Sequence, residues 1–231
     1  EIFSVFPYFG ATLQGWHIGT TYIIPPVLES AEKMPARPPG GYNSFKGVGG
    51  LRPIWALGAH HNPCIIWQHP FQYQITVNDS SRKQVELFQR FDHVDITYRI
   101  TVSNGEPGFL YEAMAVNKLD SLKAGFNFNL TLGFSLDGMD ESGFRWQENT
   151  EKRQLKFRDV RDSFFRIGAD HGLEFFTKNS RVTIETDPEQ TDGFYVDWSP
   201  CYVTPDVHAN YRPVNKGEKV VTPWRFKATA F

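Results

Sequence analysis

The sequence predicts an all-β protein, a sandwich or barrel of many short antiparallel strands. Three observations carry that reading: period-two alternation, frequent turn signals, and no extended run at helical spacing. Val94, Ile96, Tyr98, Ile100 and Val102 alternate with Asp95, Thr97, Arg99 and Thr101. Phe126, Phe128, Leu130, Leu132, Phe134 and Leu136 alternate with Asn127, Asn129, Thr131, Gly133 and Ser135. Each run predicts a strand with one face on a core and a polar face opposite. Runs at helical spacing stop at about two turns, too short for a helix to persist by itself.

In chain order, Pro25 to Gly50 holds five prolines and five glycines, residues that deny or weaken sheet ladders. A long loop is expected there. Tyr73-Ile75-Val77 then predicts a strand of the same alternating kind, closed by the turn signal Asn78-Asp79-Ser80. Asn104-Gly105-Glu106-Pro107-Gly108 separates the two long runs, and Asp137-Gly138 follows the second. Val182-Ile184, Phe194-Val196-Trp198 and Trp224-Phe226-Ala228 complete the strands, with turns at Asp187-Pro188 and Lys216-Gly217.

Composition bounds the function. The 231 residues fit one domain spanning the whole chain, and 20 Phe, 9 Tyr and 6 Trp suffice for a large aromatic core. A net charge of -2 gives no field that favours nucleic acid. No apolar run approaches the roughly 18 residues of a membrane-spanning helix, so no membrane partner is expected. The first residue is Glu1, which fits a processed or trimmed chain. Two cysteines, Cys64 and Cys201, and two sequons, Asn78-Asp79-Ser80 and Asn129-Leu130-Thr131, leave the compartment open. The oligomeric state is not legible.

Four segments carry a resemblance. They are Tyr8-Phe9-Gly10-Ala11-Thr12-Leu13-Gln14-Gly15-Trp16, Gly49-Gly50-Leu51-Arg52-Pro53-Ile54-Trp55, the pair Ala115–Asp120 and Phe126–Phe134, and Ser199-Pro200-Cys201-Tyr202-Val203-Thr204-Pro205-Asp206 through Asn210. In this order they resemble the galactose mutarotase (aldose 1-epimerase) family. The resemblance implies a large twisted antiparallel β-sandwich, the galactose mutarotase-like supersandwich, with a sugar cleft on one face. It also implies a small-molecule carbohydrate as partner and sugar isomerisation as activity, without a cofactor.

Mutarotation needs one group to take the proton of the anomeric hydroxyl and another to protonate the ring oxygen. The family uses a Glu and a His. By the resemblance, Ser199 stands where that Glu would be and Ser135 where that His would be. Asp197 lies two residues before Ser199, on the same strand face about 7 Å away. Asp206 follows Pro205 in what reads as a loop. These two aspartates are the candidate bases, and His60 and His61 the candidate acids, with His69 nearby in the chain. Arg52 and Trp55, in the segment that resembles the cleft entrance, are expected to bind sugar together with His69, Ser135 and Ser199. Trp16 and Trp67 are further stacking candidates, while Trp198 and Trp224 read as core.

Other chemistries find less support. His60-His61 with His69, or His93 with Asp95, lack third and fourth ligands at a recognised spacing, so no metal is expected. No nucleophile-elbow motif occurs, and Cys64 reads as a small buried hydrophobe. Two alternatives to an isomerase stay open: a non-catalytic carbohydrate-binding protein on the same scaffold, and a binder of a non-sugar ligand in a Phe-lined pocket.

Overall fold

Strands with one apolar face are satisfied only when two sheets stack and share a core. A computed structural model describes residues 2–6, 12–24, 51–57, 69–130, 132–133, 141–148, 151–160, 163–167, 172–199 and 202–231. The described residues form strands β1 (Ile2–Phe6), β2 (Thr12–Ile18), β3 (Thr21–Tyr22), β4 (Leu51–Leu57), β5 (Gln72–Asn78), β6 (Arg82–Arg90) and β7 (Val94–Ser103). Next come β8 (Phe109–Asn117), β9 (Leu122–Leu130), β10 (Leu132–Gly133), β11 (Gly143–Glu148), β12 (Glu151–Lys156) and β13 (Ser163–Arg166). The chain ends with β14 (Leu173–Phe176), β15 (Ser180–Thr186), β16 (Thr191–Ser199), β17 (Tyr202–Ala209), β18 (Arg212–Val214) and β19 (Lys219–Ala230). A 3-10 turn lies at Phe157–Asp159. The expected loop at 25–50 and the turn at Asp137-Gly138 lie outside the described residues.

A ten-stranded sheet runs β1-β2-β4-β9-β17-β16-β13, with β3 on β2, β10 on β17 and β18 on β9. A nine-stranded sheet runs β12-β11-β14-β15-β19-β8-β7-β6-β5. Every ladder among the described residues is antiparallel, as expected.

The alternation does what the sequence predicts in the long strands. Val94, Ile96, Tyr98 and Ile100 are buried, as are Phe126, Phe128, Trp224 and Phe226. Aromatic rings join the sheets: Phe128 meets Trp224 at 4.7 Å and Phe194 meets Phe144 at 5.3 Å, both edge to face. Trp16, weighed as a stacking residue for sugar, is buried instead and packs edge-on against Phe109 at 5.0 Å. Tyr98 also ties the layers, its hydroxyl donating to the Pro53 carbonyl at 3.4 Å.

One buried hydroxyl has no such outlet. The Oη of Tyr111 is buried and has no hydrogen-bond partner among the described residues, and the indole N–H of neighbouring Trp224 is in the same position. An unpaired buried polar group costs about 1–3 kcal/mol. Tyr111→Phe is therefore expected to raise stability by about 1 kcal/mol, read as a higher urea midpoint at unchanged slope. A lower midpoint would sink this account.

Turn carboxylates close the hairpins. Asp79 accepts from the Ser81 and Arg82 amides, each at 2.8 Å, and from the Ser81 hydroxyl at 2.6 Å. Those hydrogen bonds, that of the Ser81 hydroxyl foremost, hold its carboxyl below the usual range. Glu218 does the same beyond Lys216-Gly217, accepting from the Asn215 amide and pairing with Arg212.

β5 departs from expectation. Tyr73 and Ile75 were expected on the core and are 63% and 64% exposed. β5 is the last strand of its sheet, so the core-side face of β5 overhangs. A register shift between Ile75 and Val77 also breaks the alternation, pairing Val77 with Gln84 rather than with the core-facing row.

Candidate functional site

The middle of the ten-stranded sheet is where the chemistry-bearing residues gather. On β16, Phe194 and Val196 are buried, and on β17 so are Val207 and Ala209. Positions 195, 197, 206 and 208 therefore belong to the opposite face of these strands, since neighbours along a strand alternate.

Register then fixes who stands beside whom. Arg52 on β4 is the cross-strand partner of Asn129 on β9. Asn129 is the partner of Asp206 on β17, Asp206 of Tyr195 on β16, and Tyr195 of Phe164 on β13. At about 4.8 Å per strand, the row from Arg52 to Tyr195 spans roughly 14 Å, about the reach of a bound monosaccharide with its hydroxyl partners. One step along, Asp197 pairs with Thr204, which sets Asp197 diagonal to Asp206, roughly 7 Å away between backbones. One step the other way, Gly193 pairs with His208.

Asn127 shows how this surface is held. It was expected on a solvated polar face and is fully buried. Its amide donates to the Tyr211 hydroxyl at 2.8 Å, while its carbonyl accepts the Ala209 amide at 2.7 Å. Asn127 thus pins the exit of β17 onto β9 and draws Tyr211 across itself.

Phe164 borders the row. It is 43% exposed, and its ring meets His208 edge-on at 5.6 Å. Phe164 is on β13 and His208 on β17, with β16 between them. The gap is bridged at Gly193, where an added Cβ would fall 2.6 Å from the Phe164 ring and 2.2 Å from the Phe165 carbonyl oxygen. Only a residue without a side chain lets that ring lie across β16.

Of the residues singled out in the sequence, Asp197 and Ser199 on β16, Asp206 on β17 and Arg52 on β4 are placed by backbone in one sheet, with β9 between β4 and β17, their side chains lying outside the described set. Asp206 is in a strand, not in a loop: Pro205 pairs with Val196, and the described ladder to β9 starts one residue later, at Asp206. A proline without an N–H is tolerated where no bond is asked of it.

Trp55 is corrected to core. It shares the inward parity of Leu51 and Pro53, is 2% exposed and packs on Phe126 at 4.9 Å. His69 is exposed and rests edge-on against Phe91 at the end of β6, in the other sheet. His60, His61, Ser135 and Trp67 lie outside the described residues, and so does the side chain of Trp198. The described residues include no group of three metal-ligating side chains. A hollow lined by Gln72, Phe88, Gln89 and Arg90 lies on β5 and β6, in the other sheet from these aspartates.

Reading Tyr202–Ala209 as a strand would have exposed His208, two residues after Asp206 and on the same face. The prolines at 200 and 205 hid that signal.

No protein-family model matches the sequence, and no curated protein is similar to it. Solved structures are similar in fold. The chain aligns over 99% of its length with the Slr1438 protein of Synechocystis sp. PCC 6803, covering 92% of that chain, with TM-score 0.71 and 11% identity. It aligns over 99% of its length with all of a protein named "Putative aldose 1-epimerase" from Escherichia coli K12, with TM-score 0.64 and 9% identity. A galactose mutarotase-like protein from Lactobacillus casei is similar over 78% of this chain and 85% of its own, with TM-score 0.51 and 10% identity. The two stacked antiparallel sheets are a galactose mutarotase-like sandwich.

Proposed function

We propose that the chain, as one sandwich domain, is an aldose 1-epimerase-like isomerase that interconverts the anomers of a free sugar. The observation that carries this reading is the register that sets Asp206 between Asn129 and Tyr195, with Asp197 diagonal and His208 next on the same strand face. In this reading Asp206 or Asp197 takes the proton from the anomeric hydroxyl. The C1–O5 bond breaks as the ring oxygen receives a proton, with His208 as the donor nearest to hand. The open aldehyde turns about C1–C2 and recloses on either face. Arg52 and Asn129 fix hydroxyls, and the exposed Phe164 ring offers a surface for the C–H face of the sugar. The fold shared with mutarotase-like proteins supports the sugar class and leaves the individual sugar to experiment.

The test is anomer interconversion followed by NMR exchange at low buffer concentration, with glucose, galactose, xylose and glucose 6-phosphate. The expected result is acceleration that Asp206→Asn reduces by about 10²–10⁴-fold while sugar binding persists. His208→Gln should lower the rate and flatten its pH profile. Ser199, on the resemblance the place of the family's Glu, favours the second reading, a sugar-binding protein without turnover. That reading predicts ligand-dependent line broadening and no acceleration. Neither acceleration nor binding would overturn both.

A further inference from the structure

We infer that two copies of this chain pair through the outer edge of β5, antiparallel about a twofold axis at Gln74. β5 ends the nine-stranded sheet, and no strand among the described residues pairs with its outer side. An open edge of this kind is a template for another strand, and natural sheets blunt it with charges, prolines or brevity. The far edge of the same sheet does so: β12 reads Glu151-Lys152-Arg153-Gln154-Leu155-Lys156. β5 reads Gln72-Tyr73-Gln74-Ile75-Thr76-Val77-Asn78, seven residues without a charge or a proline.

The strand is complementary to itself. Tyr73 and Ile75 are cross-strand partners of Leu87 and Val85, which pack into the core, so both belong to the sheet's core-side face while standing mostly exposed. Antiparallel pairing about Gln74 puts Tyr73 of one copy opposite Ile75 of the other, twice. Aromatic against β-branched is a favourable cross-strand pair, and here both residues lie on the same face. The register shift after Ile75 ends the match there, because Val77 has moved to the face of Gln84. An isologous contact of this kind closes on itself and makes a dimer rather than a fibre. No like charges oppose each other in it, which distinguishes a second copy from an arbitrary acidic or basic partner. The pairing is short, so a dimer in the micromolar range is expected.

Sedimentation equilibrium on the full chain, from low to high micromolar concentration, tests this. The expected result is a weight-average mass rising from monomer toward dimer. Gln74→Lys places two ammonium groups against each other at the axis and should weaken association by about tenfold or more. Gln74 is exposed, so the denaturation midpoint should not move. Mixing the Gln74→Lys and Gln74→Glu chains should restore the dimer. A chain monomeric throughout overturns the proposal. So does a dimer indifferent to Gln74→Lys, which would place the interface elsewhere.

Discussion

A Gly108→Val variant is expected to lose at least about 4 kcal/mol, a large part of the stability of an ordinary domain. Gly108 ends the turn between β7 and β8 with φ at +87°. A β-carbon there would sit 1.8 Å from the Phe226 carbonyl oxygen and 2.9 Å from the Lys227 α-carbon. Both are main-chain atoms of β19, which is locked between β8 and β15 in the middle of its sheet. A side chain can rotate away from a clash; these atoms cannot. Two costs therefore add. A β-branched residue resists the left-handed region, and β19 must part from β8 where Phe226 stacks on Phe109 at 5.0 Å. Gly105→Asn separates the two: Gly105 has φ +81° and nothing within 4 Å of an added Cβ. Asn tolerates that conformation, so a loss of about 1 kcal/mol or less is expected. Equal losses in urea unfolding would show that the approach of β19 is not what matters at 108.

The fold was legible because burial and alternation obey one rule in the interior strands. Val94, Ile96, Tyr98, Ile100, Phe126, Phe128, Trp224 and Phe226 were placed by period alone, and all are buried. Alternation reads which side chains share a face, but not what covers that face. Tyr73 and Ile75 show the difference: the strand is real, yet it overhangs the core. Asn127 shows the converse. Its polar side chain is buried because Tyr211, 84 residues further on, lies over it. Nothing within β9 announces a partner so far along the chain.

The site was legible in part, for a related reason. Asp197 and Asp206 were found from their neighbourhood to Ser199. Their diagonal placement depends on the register of β16 against β17, which a single strand does not encode. Pro205 was read as a loop signal, and the strand that carries it also holds His208, two residues after Asp206. Trp55 failed through parity. Arg52 and Trp55 are three apart, so a strand cannot give them one face, and the odd positions of β4 are the ones that meet the core.

Above about pH 10, two buried tyrosines are expected to make stability fall by up to about 2.7 kcal/mol per pH unit. Burial pushes the phenols of Tyr98 and Tyr111 well above their ordinary value, and the neighbouring Tyr98 adds to the reluctance of Tyr111 to ionise. Unfolding exposes both to water, where they release their protons near pH 10. The folded protein then holds more protons than the unfolded chain, so a rise in pH favours unfolding. The contribution is complete below the ordinary tyrosine value and is lost as pH climbs toward the folded one. Urea unfolding of the wild type and of a Tyr98→Phe/Tyr111→Phe double variant, between about pH 9 and pH 12, isolates this effect. Lysines and the exposed tyrosines contribute to both proteins and cancel in the difference. In the double variant the lost bond to Pro53 and the removed unpaired hydroxyl of Tyr111 act in opposite directions on the height of the curve, and neither tilts it. Each single variant should remove about half of the excess slope, and parallel curves for all four proteins would mean that both phenols ionise in place.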